Sequence, residues 1–330
     1  MLKEKGKNLK MPSGYKLKEI NEYIQKELSK GLNDNQIMKL LIKSKWPKDV
    51  ALKLISEYHN NIKNEITKKN KIQNRPKRIK KFTTGVDGFD DLLKEGLPEG
   101  NAIIVEGGPG SGKTIFCLNV IHEACRKGKK CLFMSFEEPE DRLRDHMKDF
   151  GFEPIKYESK GLLRIKRFNA LDIARSVEAL LSEAKKELLI ELHPVLIPKD
   201  FAPDLLVIDS LSSISSAFTG EKGRFRIYME QLFRYLESNN ITSFLIREEA
   251  HPAHLKSNYN GDGEEISFLS DGIITIYNVV YPNGKRGRAL EILKMRGENI
   301  KREIVEMKII DKKGIKVFPN KNIGTGSLLT

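Results

Sequence analysis

Gly107-Gly108-Pro109-Gly110-Ser111-Gly112-Lys113-Thr114 closes the apolar run AIIVEG, which starts at Ala102, and leads into a helical stretch over Thr114 to Lys127. This is the pattern G-x-x-x-x-G-K-[ST] in the context it requires, with a strand before it and a helix after it. Glycines let backbone N–H groups turn inward around a phosphate, and the start of the helix adds its positive end. Lys113 is placed to bridge β- and γ-phosphate oxygens, and the Thr114 hydroxyl to ligate Mg²⁺. The expected cradle is therefore Gly107, Gly108, Pro109, Gly110, Ser111, Gly112, Lys113 and Thr114, and the expected cofactors are a nucleoside triphosphate and Mg²⁺.

The surrounding pattern sets the fold class. From Phe82 onward, short β-rich runs alternate with helical segments, which predicts an α/β fold with a mostly parallel sheet covered by helices. The expected strands are AIIVEG, KCLFMSF from Lys130, LLVIDS from Leu205 and ITSFLI from Ile241. Helices are expected near Thr114 to Lys127, Glu140 to Phe150, Leu171 to Leu189 and Phe225 to Ser238. The C-terminal part differs: GIITIYNVVY, a PNGKRG hairpin turn, RALEILKM, EIVEMKII and GIKVF read as antiparallel strands added to the sheet. The tail after Asn320 has little to fix it. Leu188 to Pro203, with three prolines, reads as an inserted loop.

Two further acidic positions follow from this layout. Asp209 ends the apolar run Leu205 to Ile208, at the carboxyl edge of a buried parallel strand, where a carboxylate can hold the magnesium shell. Glu137 and Glu138 follow the strand LFMSF directly and can reach the γ-phosphate side, one of them polarising the attacking water. Pro139 and the two acids would also suit a helix start. Their place on the strand after the phosphate-loop helix favours catalysis.

The 330-residue chain carries 58 Lys and Arg against 45 Asp and Glu, a net charge of +13. Residues 1–81 alone hold 22 basic and 8 acidic residues, so the excess lies in that quarter and the remainder is nearly neutral. Such an arm fits an anionic partner, nucleic acid or a lipid surface, and equally a solvated lysine-rich surface. Helical spacing over 16 to 66 predicts a small three-helix module (domain 1–66), with Leu17, Ile20, Ile24 and Leu28, then Ile37, Leu40 and Leu41 after an Asn33 cap, then Val50, Leu54, Ile55 and Tyr58 beyond the Trp46-Pro47 break. A basic linker (67–81), an ATPase-type domain (82–320) and a flexible tail (321–330) complete the expected organisation. No apolar run approaches the ~18 residues needed to cross a bilayer, which excludes a membrane-spanning helix. The start MLKEKGKNLK lacks a following apolar region or cleavage site, so a cytoplasmic location is expected. Cys117, Cys125 and Cys131 are too few for a disulfide framework and are expected to be buried thiols.

Taken together, TTGVDGFDDLLKEGLPEG from Thr83, the loop GGPGSGKT, FEE at Phe136 to Glu138, FGF at Phe150 to Phe152, VIDS at Val207 and LEILKMRG from Leu290 resemble the KaiC family of RecA-superfamily ATPases over residues 82 to 319. Single-domain members that resemble this chain are common in archaea and sit near the RadA-paralogue and gas-vesicle-regulator groups. The resemblance implies a RecA-like core, ATP bound between adjacent subunits of a homo-oligomeric ring of typically six, and Glu137 and Glu138 as catalytic glutamates. It also implies that Lys294 and Arg296 reach across to a neighbour's nucleotide. Two residues apart on an edge strand, they would point to one face. The clock proteins of this family carry two such domains and this chain has one, so a circadian oscillator is not expected. Ser267 falls at an autophosphorylated position of the clock protein's second domain, but the adjacent acceptor threonine is replaced by Phe268.

The expected activity is Mg²⁺-dependent hydrolysis of ATP to ADP and phosphate, with Lys113, Lys294 and Arg296 stabilising charge and Thr114 and Asp209 holding the metal. The change it drives would be read by an unidentified protein partner. Alternatives are a nucleotide-sensing scaffold with little hydrolysis, or a DNA-repair accessory that contacts nucleic acid through its basic arm. His251-Pro252-Ala253-His254 reads as a polar loop, and Tyr15, Tyr23, Trp46 and Tyr58 as parts of a small core. The stretch SSISSAFTGEKGRFR after Asp209, with Lys222, Arg224 and Arg226, resembles in position the mobile DNA-gripping loops of RecA-type proteins.

Overall fold

The structure is a computed structural model. It describes residues 80–93, 96–184, 197, 198, 200–218, 222–249 and 263–330, and, nearer the N-terminus, residues 23, 24, 27, 34–44, 46–48 and 50–55. The chain divides into two compact units, Met1–Arg78 and Ile79–Thr330.

In the first unit, helix α1 (Asp34–Lys43) buries Ile37 and Leu41, one helical turn apart, against Ile24, Trp46, Val50, Ala51, Leu54 and Ile55. Trp46 and Pro47 interrupt the helical run, and the next helix begins with the Ala51 N–H donating to the Pro47 carbonyl at 2.9 Å. Trp46 is core, whereas Tyr23 is exposed. Leu17, Ile20, Leu28, Asn33, Tyr15 and Tyr58, most of the linker, and His251 to His254 lie outside the described residues.

The second unit opens with a two-stranded ribbon, β1 (Lys81–Phe82) on β2 (Leu97–Pro98). A ten-stranded sheet follows, built from β3 (Ala102–Gly107), β4 (Cys131–Ser135), β5 (Leu163–Arg167), β6 (Leu205–Asp209), β7 (Thr242–Glu248), β8 (Gly272–Val280), β9 (Arg286–Met295), β10 (Val305–Ile310) and β11 (Gly314–Asn322), with β12 (Leu328–Leu329). Its order is β11-β10-β9-β8-β3-β7-β6-β4-β5, and β12 pairs with β8. From β8 to β5 every neighbour is parallel, while β9, β10 and β11 are antiparallel.

The parallel strands are apolar at consecutive positions because both faces are covered. On β3, Ile103 and Val105 join one core and Ala102 and Ile104 the other; β6 divides likewise, with Leu205 and Val207 opposite Leu206 and Ile208. Full burial of each such aliphatic contributes about 1.5–3 kcal/mol. The first face is covered by α2 (Lys113–Arg126), α3 (Glu140–Asp149) and α4 (Pro154–Ser159), through Phe116, Leu143, Met147 and Tyr157. The second carries α5 (Ala170–Ala184), α6 (Leu211–Ala217), α7 (Lys222–Ser238) and α8 (Gly263–Leu269), through Ile173, Ile214, Leu232 and Ile266. Helix α2 stops at Gly128, whose φ of +80° an L-residue resists, and the Gly128 N–H caps the Cys125 carbonyl at 2.9 Å. Cys117, Cys125 and Cys131 are buried free thiols.

Several sequence expectations change here. Residues past Asn320 are held rather than loose: β11 runs to Asn322, Leu328 and Leu329 pair with Val280 and Val279, and Thr330 exchanges two backbone hydrogen bonds with Asn278. Strand β9 is interior, between β8 and β10, not an edge. The stretch following Asp209 is not a loop where it is described; Leu211–Ala217 and Lys222–Ser238 are helical, and Arg224 and Arg226 form ion pairs with Glu178 and Glu230. Most of the proline-bearing insert lies outside the described residues, but Phe201 is buried beneath the Arg164 guanidinium, 4.6 Å from its ring centroid.

Candidate active site

The carboxyl ends of β3, β4, β6 and β7 lie side by side, and the loop leaving β3 wraps back over its own backbone. Gly107, Gly110 and Gly112 adopt positive φ values of 154°, 69° and 111°. At Gly107 an added Cβ would fall 2.1 Å from the Ile276 carbonyl oxygen, so only glycine fits. Gly112 is the N-cap of α2, which aims the first helical N–H groups at the loop. The buried Lys113 ammonium donates to the Gly107 and Gly108 carbonyls at 3.0 and 2.9 Å and lies 4.0 Å from Glu248 Oε1. Burial lowers its pKa, against the opposing pull of Glu248, Asp209 and Glu137. Ser111 Oγ is buried and makes no hydrogen bond.

Thr114 Oγ1 donates to Asp209 Oδ2 at 2.8 Å. Burial pushes the Asp209 carboxyl up to about 6, opposed by the Thr114 hydrogen bond and reinforced by the charge of Glu137. Two hard oxygen donors meeting beside a phosphate-type loop, one of them a buried carboxylate short of positive charge, suit Mg²⁺, which takes one or two protein ligands and completes its shell with phosphate and water.

Glu137 and Glu138 flank this pair. The Phe136 N–H donates to the Asp209 carbonyl at 2.7 Å, locking the end of β4 to the end of β6. Glu137 Oε1 accepts from Ser210 Oγ and Ser213 Oγ, both at 2.7 Å. Ser210 is also the N-cap of α6, accepting from the Ser213 N–H. Glu138 Oε2 is buried without a hydrogen bond and lies 3.5 Å from His146 Nδ1 on α3. Ser210, Ser213, Glu248 and His146 escaped the sequence reading. Of these, only Ser210 left a local trace, a serine followed three residues on by another before a helical run.

Lys294 and Arg296 are not brought to this loop. Lys294 Nζ donates to the Ser267 and Ser270 carbonyls at 2.9 and 2.6 Å, and Arg296 Nη2 to the Phe268 carbonyl at 2.7 Å. Arg296 stands in the turn after β9, yet both cations reach the last turn of α8. The adjoining Asp271 N–H bonds the carbonyl of Ala102, at the start of β3, which places that turn about 16 Å down the strand from Gly107. Burial lowers the Lys294 pKa, with Arg296 adding to the effect. Ser267 Oγ accepts from Arg247 Nη1 at 3.0 Å.

On the other side of the loop, Asn278 Nδ2 donates to the Pro109 carbonyl at 3.1 Å, and Arg288 donates twice to the Gly110 carbonyl, at 3.2 and 3.1 Å. Between them opens a cavity of ≈ 320 Å³, lined by Pro109, Asn278, Val280, Arg286, Arg288 and Thr330. It lies on the β8 side of β3, opposite Asp209 in the strand order.

Comparison with known proteins agrees with this architecture. The chain is 29% identical over 248 residues to the circadian clock protein KaiC3 of Synechocystis, covering 73% of this chain but 46% of that relative. A UPF0273 protein of Methanopyrus kandleri is 29% identical over 256 residues, covering 74% of this chain and 94% of its own length. Among solved structures, a KaiC-like protein of Pyrococcus horikoshii superposes with a TM-score of 0.57 at 26% identity, covering 73% of this chain and all of that one. No helix of the described residues is long and apolar enough to cross a membrane. The family model for the KaiC ATPase matches residues 82–322, and the chain, with its nucleotide-type loop on a RecA-like sheet, belongs to the KaiC family of ATPases.

Proposed function

We propose that the protein hydrolyses Mg²⁺-ATP to ADP and phosphate at sites completed by a second copy of the chain. The observation that carries this reading is the convergence of Lys113, the Thr114–Asp209 pair and Glu137 on one sheet edge. The loop N–H groups and Lys113 hold the β- and γ-phosphates, the ammonium exchanging its two carbonyl contacts for phosphate oxygens. Thr114 and Asp209 would hold Mg²⁺, which supplies charge neutralisation of the phosphates when bound. Glu137, its carboxylate fixed by two serine hydroxyls, orients water and accepts its proton as oxygen attacks the γ-phosphorus and the bond to ADP breaks. Glu138 is the second candidate base. The nucleoside end then extends toward the cavity beside Pro109 and Arg288.

Lys294 and Arg296 rest about 16 Å from their own loop, which supports a role at a neighbour's γ-phosphate, as a trans cationic finger. A homo-oligomeric ring, typically of six, fits that arrangement, and the basic first unit is left for a protein or nucleic-acid partner. The test is specific activity against protein concentration, with Lys113→Ala as the blank. Activity per subunit should rise through assembly and then plateau. Absence of activity above the blank at every concentration would overturn hydrolysis and leave a nucleotide-binding scaffold.

A further inference from the structure

Glu106, one residue before the phosphate loop, is 1% exposed, and Arg247, its cross-strand partner on β7, is 7% exposed. Their side chains form an ion pair in the sheet interior, and Glu106 Oε1 also accepts from Thr275 Oγ1 on β8 at 3.0 Å. The strand that delivers the loop is thus gripped from both neighbours by one carboxylate. Taking such a pair out of water costs several kcal/mol per ion, and apolar residues of similar volume often serve stability as well. A buried pair at this point therefore calls for a role other than stability.

The guanidinium extends beyond Glu106. Arg247 Nη1 donates to Ser267 Oγ at 3.0 Å. Ser267 belongs to the turn of α8 whose carbonyls receive Lys294 and Arg296, and the Arg296 guanidinium also lies 3.4 Å from Asp271 Oδ1. Three cations thereby converge on one turn at the negative end of a helix, with Asp271 beside Arg296 and Glu106 beside Arg247. A line of contacts runs from the base of the phosphate loop through the side chains of Glu106, Arg247 and Ser267, and then through the backbone carbonyls of the α8 turn to the two cations proposed for the neighbour.

We infer that Arg247 is a positioning residue: it ties the phosphate-loop strand of one subunit to the α8 turn that presents Lys294 and Arg296 to the next. The inference rests on the trans role of those two cations. Arg247 thereby holds the finger that serves the adjacent site at a fixed place relative to β3. A plain helix cap would give stability alone; a positioning residue changes turnover without changing how tightly nucleotide binds.

Two variants leave Glu106 with a cation. Ser267→Ala removes the contact with α8, and Arg247→Lys keeps the charge but loses the second guanidinium arm. In the assembled full-length protein, both should lower kcat for ATP by about fivefold or more, with KM and the affinity for a non-hydrolysable ATP analogue within about twofold and the unfolding temperature nearly unchanged. Combined with Lys294→Gln, Ser267→Ala should add little further loss, because both act through one turn. An unchanged kcat, a parallel change in KM, or full additivity in the double variant would overturn the inference. If Lys294→Gln and Arg296→Gln themselves leave kcat intact, the trans finger fails and this inference falls with it. If they lower kcat while Ser267→Ala and Arg247→Lys do not, only the positioning role is lost.

Discussion

Thr114 Oγ1 and Asp209 Oδ2 meet at 2.8 Å although 95 residues separate them in the chain. Parallel pairing of β4 with β6, in register from Cys131 opposite Leu205 to Ser135 opposite Asp209, brings the ends of these strands level, and β7 links β6 to the loop strand. The contact joins the two oxygens proposed to share one cation, and its electrostatics can be tested without any nucleotide.

Asp209 titrates near 3.8 when unfolded and at about 6 when folded. The native state holds this proton longer, so the stability associated with the neutral carboxyl is present below about pH 4 and is lost as pH rises through about 6, a loss of roughly 3 kcal/mol. Thermal unfolding from pH 4 to 8, without Mg²⁺ or nucleotide, should show this decline in the parent and not in Asp209→Asn. Mg²⁺ with an ATP analogue should flatten the parent curve. Parallel curves for parent and variant would contradict the buried carboxylate.

Glu137→Gln keeps an oxygen for Ser210 and Ser213, so the fold should be retained. Hydrolysis should fall by about 100-fold to 10,000-fold, with nucleotide affinity within about threefold. Ser210→Ala with Ser213→Ala frees the carboxylate without removing it and should cost about tenfold. A Glu138→Gln variant that loses more activity than Glu137→Gln would transfer the role of base to Glu138.

Most of the candidate site's residues were legible because their signals are local. The glycine spacing, Lys113 and Thr114 form one continuous segment, and Asp209, Glu137 and Glu138 each follow directly on an apolar strand. What stayed hidden depends on pairing between distant segments. Glu248 approaches Lys113 only because β7 lies beside β3, and the Lys294 and Arg296 contacts require α8, whose short sequence GEEISFL carries weak helical periodicity. Strand β5, LRIKR, was missed since its basic residues suit a sheet edge. Helix α6 was missed because its serines favour turns and caps over helix interiors. The fate of the C-terminus was equally invisible, since two leucines do not announce a strand.

The cavity beside Pro109, proposed to receive the nucleoside, allows nucleoside and phosphate recognition to be tested separately. Val280→Glu would place a carboxylate in it without touching the loop's own hydrogen bonds. ATP affinity should weaken by about tenfold, equivalent to ~1.4 kcal/mol, while inorganic tripolyphosphate binding stays within about twofold. Equal losses for both ligands would show that the variant damages the phosphate loop, and no loss for either would move the nucleoside elsewhere. Calorimetric titration distinguishes the three results.

Gly107→Ala is expected to be far more damaging than its size implies. Its φ is +154°, and the added methyl would meet the Ile276 carbonyl oxygen at 2.1 Å. A loss of about 3 kcal/mol or more in unfolding free energy should result. Gly128→Ala, where φ is +80° but an added Cβ meets nothing, should cost about 1 kcal/mol. Chemical denaturation of the two variants side by side checks the contrast.

Phosphate loop and paired cations occupy different places on the same molecule, one past the end of β3 and the other by its beginning. Two copies related by a twofold axis would complete both sites together if the loop of each faced the cations of the other across one self-complementary patch. The proposed ring instead uses a heterologous, head-to-tail contact, which leaves an unmatched surface at each end until the rotation closes. Every open assembly would then hold one fewer finished site than it has subunits, so closure itself adds the last.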